Sequence, residues 1–321
     1  MNSMNRPSPR IASIGDCMIE LSAVAGDPEL RRVGFGGDTL NTATYLARLG
    51  IAVDYVTALG DDAYSERMVA AWRDEGIGVG LVQRIGGRVP GLYMIDLDAD
   101  GERHFSYWRD RAPAREIFGN AETPDLCRRL MSFDWLYLSG VTLSLYGEAG
   151  RNRLFGLLAD FRKAGGKVAF DSNFRTRGWP SIDEARREFR RQLSLSDLVL
   201  SGMEDEASLH GVRDASEAFA VFHDAGVPLA AIKRGGGACL VSNGVELLKV
   251  PARRVDRVVD ATAAGDSFNA GFLAAHLGGR SLVEAVELGH ACAAIVIGHR
   301  GAIVPRDAFL AALGERQKNR V

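Results

Sequence analysis

Short apolar runs alternate with longer amphipathic stretches along most of the chain. Buried strands are predicted at residues 11–15, 53–59, 135–139, 168–171, 198–201 and 230–233. Between them, apolar positions recur at helical spacing in the segments 40–47, 68–72 and 154–161. Two more helices, rich in Ala and Leu, are predicted at residues 265–277 and 282–297. This alternation is typical of an α/β fold in which helices cover a parallel sheet.

One stretch interrupts this alternation. Residues 92–98 and 104–109 have the pattern of two strands, joined by a loop at residues 99–103 that contains glycine. Such a hairpin is expected to project from a parallel sheet rather than to join it. Because successive side chains alternate between strand faces, Phe105, Tyr107 and Arg109 should share one face. That face could close over an anionic ligand. Alternatively, the aromatic residues of a partly exposed hairpin simply pack on the domain below.

Composition limits the classes of protein to consider. The 321 residues are 46% hydrophobic and 25% charged, which is ordinary for a globular protein. A formal net charge of −2 gives no reason to expect nucleic acid or a membrane as a partner. The four scattered cysteines form no CxxC pair, which favours reduced, buried thiols. The first ten residues lack an apolar signal core and no apolar run reaches the ~18–20 residues of a bilayer span, so a cytoplasmic location is expected.

The segment most informative about chemistry is VDATAAGDSF, residues 259–268. Small residues lead into a helix predicted to start near Gly265, and the first N–H groups of a helix have no partner inside it. Such a helix end can hold a phosphate, or the charge that develops during phosphoryl transfer. Asp266 lies in the first turn and could accept the proton of an attacking hydroxyl. Alternatively, Asp266 is only a favourable charge at a helix start that follows a tight turn.

Two glycine-rich segments are weaker candidates. KRGGGA, residues 233–238, follows an apolar strand and could present N–H groups to phosphate oxygens or form a plain turn. GFGGDTLN, residues 34–41, leads into a helix and places Asp38 and Asn41 where they could bind sugar hydroxyls. The same two residues also suit the capping of a helix start.

A fourth candidate, DSNFR at residues 171–175, ends a predicted strand. Open α/β sheets usually bind ligands at that edge.

No GxxxxGK[ST] phosphate loop occurs, and no GxGxxG follows the first strand, which disfavours P-loop ATPases and dehydrogenases. The six histidines show no compact metal-binding spacing.

Taken in this order, the segments resemble the ribokinase-like (PfkB) carbohydrate kinases over residues 11–305. GGDTLN, residues 36–41, is similar to the N-terminal sugar-binding signature, and residues 260–266 are similar to the C-terminal signature, usually DTxGAGD. The resemblance implies a three-layer α/β/α core with a small β-sheet lid. It also implies one kinase domain over residues 1–321, with lid strands inserted from about 16–36 and 88–113.

Further segments resemble the 2-keto-3-deoxygluconate kinases within that family. They are GDCMIEL at 15–21, PGLY at 90–93, GER at 101–103, YWR at 107–109, and residues 171–175 and 300–306. The implied reaction transfers the γ-phosphoryl group of ATP to the 6-hydroxyl of 2-keto-3-deoxy-D-gluconate, giving the 6-phosphate and ADP. Fructokinase or another neutral-sugar kinase is the nearest alternative, and a non-catalytic sugar-binding protein is an alternative from another class.

The resemblance implies a role for individual residues. Asp266 would be the catalytic base, and the backbone amides of Ala263, Ala264 and Gly265 would form the anion hole. The substrate-binding set would be Gly36, Gly37, Asp38, Asn41, Tyr93, Tyr107, Arg109, Arg175 and Asp266. The nucleotide-binding set would be Asn173, Lys233, Gly235, Gly236, Gly237, Ala238, Ala264, Gly265 and His290.

The resemblance also implies the cofactors and partners. ATP would bind with Mg²⁺ held mainly through phosphates and water, so no dedicated metal cage of protein ligands is expected. A monovalent cation and a homo-oligomer formed through the lid are further candidates. Because the implied substrate is a carboxylate, Arg109 could offer it two parallel hydrogen bonds that a neutral hexose cannot use.

The chain departs from the family pattern at three places. Ala261 replaces the common Thr, and Ala263 and Ala264 stand where the anion hole often has Gly-Ala, which keeps the backbone donors. Met203 replaces the Asn of an NxxE motif whose Glu206 is present, so the contacts to metal and phosphate there stay open. Gly237-Ala238 replaces part of the usual GxxG, which leaves the conformation of the nucleotide loop open.

Overall fold

Thirteen strands and eleven α-helices lie within residues 9–24, 27–97, 103–252, 254–255 and 257–318, the parts of the chain that the computed structural model describes. The strands are β1 (Ile11–Ile14), β2 (Met18–Val24), β3 (Asp27–Gly36), β4 (Val53–Leu59), β5 (Val82–Arg84), β6 (Leu92–Leu97), β7 (Arg103–Trp108), β8 (Trp135–Ser139), β9 (Lys167–Asp171), β10 (Leu198–Gly202), β11 (Ala230–Lys233), β12 (Cys239–Ser242) and β13 (Leu247–Val250). The helices are α1 (Asp38–Arg48), α2 (Ala63–Asp74), α3 (Thr123–Leu130), α4 (Gly140–Leu145), α5 (Glu148–Lys163), α6 (Ile182–Ser194), α7 (Met203–His210), α8 (Ala215–Asp224), α9 (Ala264–Leu277), α10 (Leu282–Val296) and α11 (Arg306–Lys318).

Nine strands form one large sheet, in the order β13-β12-β11-β10-β9-β8-β1-β4-β5. The strands from β11 to β5 in that order are parallel, and β12 and β13 extend the sheet with antiparallel pairing. Both faces of the large sheet are apolar: in β10, Leu198 and Leu200 pack into one apolar cluster and Val199, on the opposite face, packs into the other. A layer of helices is therefore needed on each face. Helices α1, α2 and α9–α11 cover one face, and α3–α8 cover the other.

This arrangement confirms the predicted α/β class, with three layers and a mostly parallel sheet. The predicted strand and helix bounds differ from the observed ones by a residue at several ends: β1 stops at Ile14, β9 begins at Lys167 and α9 begins at Ala264. The apolar pattern did not predict β12 and β13, which are four residues each. None of the helices in the described ranges is long and apolar enough to cross a membrane.

A small four-stranded sheet, in the order β3-β2-β6-β7, stands apart from the large one. Strands β2 and β3, and β6 and β7, are antiparallel pairs, and β2 runs parallel to β6 between them. The predicted hairpin is therefore present, although β6 ends at Leu97 and β7 ends at Trp108. Residues 98–102, most of the predicted loop, lie outside the described residues. The division of the chain into one domain with an inserted lid stays a prediction.

Candidate active site

The start of helix α9 is formed by the small residues that the sequence singled out. Ala263 caps the helix in the left-handed conformation, with φ 59° and ψ 15°, and the N–H of Ser267 donates to its carbonyl. This backbone turns the chain sharply: the N–H of Ala264 donates to the carbonyl of Ala261 at 3.2 Å, and the next amides, of Gly265 and Asp266, point out of the helix start. A left-handed conformation is uncommon for a residue with a side chain, and small residues on both sides keep the turn uncrowded.

Asp266 is half-buried in the first turn of α9. The side-chain amide of Asn41, on α1, donates to its Oδ2 at 2.8 Å, and the hydroxyl of Thr42 donates to its backbone carbonyl at 3.2 Å. Burial and the nearby carboxylate of Asp38 raise the pKa of Asp266 to about 8, against the lowering effect of the Asn41 hydrogen bond. A carboxyl group with this pKa can hold or release a proton near neutral pH.

The glycine-rich segment before α1 brings Asp38 close to the same place. A Cβ on Gly37 would lie 2.1 Å from the carbonyl oxygen of Asp16, so only glycine fits where these two backbones meet. Asp38 then opens helix α1, and the amide of Asn173 donates to its Oδ2 at 2.7 Å. Asn173, which was expected beside the nucleotide, thus contacts a residue expected to bind the sugar.

Lys233 lies at the end of β11 and is hydrogen-bonded to helix α9. Its ammonium group donates to Oδ1 of Asn269, on α9, at 2.9 Å and lies 3.4 Å from Oδ1 of Asp171, at the end of β9. A Cβ on Gly265 would be 3.6 Å from this nitrogen, which places the positive charge beside the first turn of α9. Asn269 in turn donates to the hydroxyl of Tyr137, on β8, at 3.1 Å.

The small sheet contributes aromatic and polar side chains. The rings of Tyr93 and Tyr107 have centroids 6.1 Å apart, and those of Phe105 and Tyr107 are stacked at 6.2 Å. Phe105 and Tyr107 therefore share a face, as strand alternation predicts. The hydroxyl of Tyr93 donates to the carboxylate of Glu20 and lies 2.6 Å from where a Cβ on Gly36 would be, which explains glycine at that position.

Arg109 follows directly after β7 and faces a buried carboxylate. Its Nη2 lies 3.3 Å from Oδ2 of Asp16, and the two side chains are 20% and 4% exposed. The contact is an ion pair without hydrogen-bond geometry, because Nε and Nη2 of Arg109 and Oδ2 of Asp16 are all buried without a hydrogen-bond partner. Burial raises the pKa of Asp16, Arg109 and Arg115 lower it, and Asp38 raises it further.

Comparisons with known proteins bear on this arrangement. Residues 8–308 match the family described as pfkB family carbohydrate kinase. This chain belongs to that family. It is 44% identical over 309 residues to the 2-dehydro-3-deoxygluconokinase of Escherichia coli (strain K12), covering 94% of this chain and 99% of the relative. The corresponding protein of Dickeya dadantii (strain 3937) is 46% identical over 306 residues, with 93% and 98% covered.

Solved structures of pfkB kinases have the same fold. The 2-dehydro-3-deoxygluconokinase of Thermotoga maritima has a TM-score of 0.81 at 21% identity, covering 95% of this chain and 99% of that one. A fructokinase with bound ATP from Xylella fastidiosa has a TM-score of 0.83 at 23% identity, covering 97% and 100%. The ribokinase-like fold and the family resemblance predicted from the sequence are both confirmed.

The remaining residues expected at the site are Arg175, the turn at residues 235–238 and His290. Arg175 is 62% exposed, and its Nη1 donates to Asp205 at 3.0 Å and to the carbonyl of Phe174 at 2.8 Å. Gly235 has a φ of 58°, and residues 235–238 form an exposed turn between β11 and β12. His290, on α10, packs its ring 5.3 Å from that of Phe268, and burial lowers its pKa.

Sequence reasoning missed a series of hydrogen-bonded polar side chains near Asp266. Asn269, Tyr137 and Thr42 are buried and join α9, β8 and α1 by side-chain hydrogen bonds of 3.1 and 3.2 Å. The signal available was weak: Asn269 lies three residues after Asp266, one turn along the same helix face. Its partners Tyr137, on β8, and Lys233, on β11, follow only from the packing of α9 against the large sheet.

The carboxyl side chains of Glu206, Asp205 and Asp171 influence one another's pKa and could bind the water molecules of a hydrated cation. Glu206 accepts a hydrogen bond from Ser201 at 2.6 Å, and its pKa is raised to about 7 by burial and by Asp205 and Asp171. Within the described ranges, no group of three or more His, Cys, Asp or Glu side chains is arranged to hold a metal ion directly.

Proposed function

We propose that the protein transfers the γ-phosphoryl group of ATP to the 6-hydroxyl of 2-keto-3-deoxy-D-gluconate, the compound also called 2-dehydro-3-deoxygluconate. The observation that carries the proposal is the carboxylate of Asp266, half-buried in the first turn of α9 and held there by Asn41. Relatives at 44% and 46% identity that are named for this substrate support it over a neutral sugar.

Asp266 acts as the general base in this proposal. The sugar hydroxyl lies against its carboxylate, and the carboxylate takes the proton as the oxygen attacks the γ-phosphorus. The amides of Ala263, Ala264 and Gly265 and the positive end of α9 stabilise the charge that develops on the transferred group. Lys233, beside Gly265, adds a positive charge on the nucleotide side.

The sugar acid is held between α1 and the small sheet. Asp38 accepts hydrogen bonds from its hydroxyl groups, and Oδ1 of Asn41, which is buried without a partner, accepts another. Tyr93 and Tyr107 line the opposite wall, and the paired N–H groups of Arg109 bind the carboxylate. Arg175 adds positive charge at the margin.

The nucleotide lies along the turn at residues 235–238, with its base towards His290. Magnesium would neutralise charge on the phosphates, and Asp171, Asp205 and Glu206, whose carboxyl groups influence one another's pKa, would bind its water molecules. A monovalent cation and a homo-oligomer formed through the small sheet stay predictions.

The test is ADP release with ATP and magnesium, comparing 2-keto-3-deoxygluconate, its galactonate epimer, fructose and ribose at matched concentrations. We expect turnover confined to the keto-deoxy acids and lowered about 10³-fold or more by Asp266→Asn, which keeps the shape but cannot accept the proton. Asp54→Asn, which alters an ion pair with Arg10 instead, is the matched control. Preference for fructose or ribose would reject the substrate, and equal rates in wild type and Asp266→Asn would reject the base.

A further inference from the structure

Three buried polar atoms without a hydrogen-bond partner meet in one contact, between Arg109 and Asp16. They are Nε and Nη2 of Arg109 and Oδ2 of Asp16. Buried polar atoms in folded proteins nearly always have a partner, so a cluster of exceptions calls for an explanation. Nε and Nη2 together form the side edge of the guanidinium group, the edge that binds a carboxylate through two parallel hydrogen bonds.

Glycines lie close to both residues. A Cβ on Gly91, the residue before β6, would lie 3.3 Å from the Cβ of Arg109, and a Cβ on Gly37 would lie 2.1 Å from the carbonyl oxygen of Asp16. The backbone segments that carry Arg109 and Asp16 thus pack closely against glycines, and Nη2 of Arg109 lies 3.3 Å from Oδ2 of Asp16.

A bound carboxylate creates a conflict at this place. If it occupies the Nε–Nη2 edge, one of its oxygens lies against Nη2, which already faces Oδ2 of Asp16. Nη2 carries two N–H groups, so both oxygens can lie beside this one nitrogen. A second carboxylate so close to Asp16 disfavours the charged form of Asp16. A protonated Asp16 removes the repulsion and supplies an O–H donor for the incoming oxygen.

The charged and titratable groups around Asp16 have mixed effects. Arg109 and Arg115 favour its charged form, Asp38 disfavours it, and burial disfavours it most. Tyr146 and Cys17 are also within electrostatic reach, and Asp16 raises the pKa of both after burial. The pKa of Asp16 is raised overall, so this carboxylate takes up a proton more readily than an ordinary aspartate.

We propose that Asp16 takes up one proton from solvent when Arg109 binds the carboxylate of the sugar acid, so that acid binding and protonation of Asp16 are coupled. The inference rests on the proposed role of Arg109 in binding a sugar acid. No covalent bond forms or breaks, and the proton returns to solvent when the product leaves. A neutral sugar brings no second carboxylate and therefore binds without this proton.

The test measures proton uptake directly. Binding of 2-keto-3-deoxygluconate is followed by calorimetry across a pH series, at each pH in two buffers with different ionisation enthalpies, which gives the number of protons taken up. The background is Asp266→Asn, because that variant removes any proton taken up by the base. We expect uptake to pass through a maximum of up to one proton in Asp266→Asn and to stay close to none at every pH after Asp16→Asn is added.

The pH dependence of affinity provides a second readout. In the Asp266→Asn background, affinity for the acid should fall by up to about tenfold per pH unit between the pKa of Asp16 in the free protein and its higher pKa in the complex, and addition of Asp16→Asn should make it flat. Asp16→Glu, which keeps a titrating group, should keep the slope. Thermal unfolding shows whether each variant is folded, and Asp54→Asn in the same background should leave both readouts unchanged.

Two results would overturn the inference. Uptake that is absent from the Asp266→Asn background, or that persists after Asp16→Asn is added, means that Asp16 is not the proton acceptor. Weaker acid binding at every pH after Asp16→Asn means that Asp16 acts as a permanent anion that holds Arg109. Failure of the proposed function looks different, since wild type would then show no turnover or binding with the acid at any pH.

Discussion

The two sheets of the protein hold their polar groups in different ways. At the edge of the large sheet, Asp266, Lys233 and Asn269 each hydrogen-bond to another side chain in a largely buried setting. At the small sheet, Tyr107 is 48% exposed, and Arg109 faces Asp16 with unused buried donors. The difference separates chemistry from recognition of the carboxylate: the groups assigned to phosphoryl transfer are positioned in advance, and Arg109, assigned to the carboxylate of the sugar acid, keeps hydrogen-bond donors free.

Loss of the positive charge at the large sheet tests the first half of that comparison. Lys233→Met should lower kcat about 100-fold with little change in the KM of the sugar, because it removes the cation beside Gly265 and leaves Oδ1 of Asn269 unpaired. Steady-state kinetics with both substrates measures this, with the exposed Lys163→Met as control. In a folded Lys233→Met protein, an unchanged kcat would show that the contacts of Lys233 with Asn269 and beside Gly265 are only structural.

Removal of the free donors tests the second half. Arg109→Ala should raise the KM for the sugar acid about 10–100-fold and leave kcat within a few-fold, because hydrogen bonds to charged groups contribute about 1.5–3 kcal/mol. The exposed Arg111→Ala, two residues away, is the matched control. If a neutral sugar loses as much as the acid, Arg109 supports the shape of the small sheet and does not recognise a carboxylate.

The pH dependence of kcat at saturating sugar acid reports the base itself, because the proton taken up by Asp16 acts on binding. Burial and Asp38 raise the pKa of Asp266 to about 8, and the base acts in its deprotonated form. The rate should therefore rise about tenfold per pH unit below pH 8 and level off above it. The same raised pKa means that the folded state binds this proton more tightly than the unfolded chain, so stability is lost as pH rises from the ordinary aspartate range to about 8. A flat profile in wild type contradicts the assignment.

Local patterns predicted the parts of the site that depend on local structure. Small residues and the unpaired amides of a helix start predict the turn before α9 and the position of Asp266. Gly36 and Gly37 mark places where the Tyr93 hydroxyl and the backbone carbonyl of Asp16 come close. The roles assigned to them came from the family resemblance. Neither source predicted that Asp16 faces Arg109 or that Asn269 reaches Tyr137, because these contacts join segments 93 and 132 residues apart. Packing of α9 against the large sheet, and of β7 against the β1–β2 connection, determines such pairs.

The smallest effect is expected at the cap of α9, where two adjacent alanines should respond in opposite directions. Ala263 has a φ of 59°, a conformation that costs a residue with a side chain about 1–2 kcal/mol, whereas Ala264 begins the regular helix. Ala263→Gly should raise the free energy of unfolding by up to about 1 kcal/mol after the added entropy of the unfolded chain, and Ala264→Gly should lower it by about 0.5–1 kcal/mol. Both keep the backbone amide, so kcat should stay within about twofold if the anion hole is made of backbone donors. Denaturant unfolding and kinetics on the same two variants measure this, and a large fall in kcat in either would mean that the side-chain methyl group, rather than the amide, positions the transferred phosphoryl group.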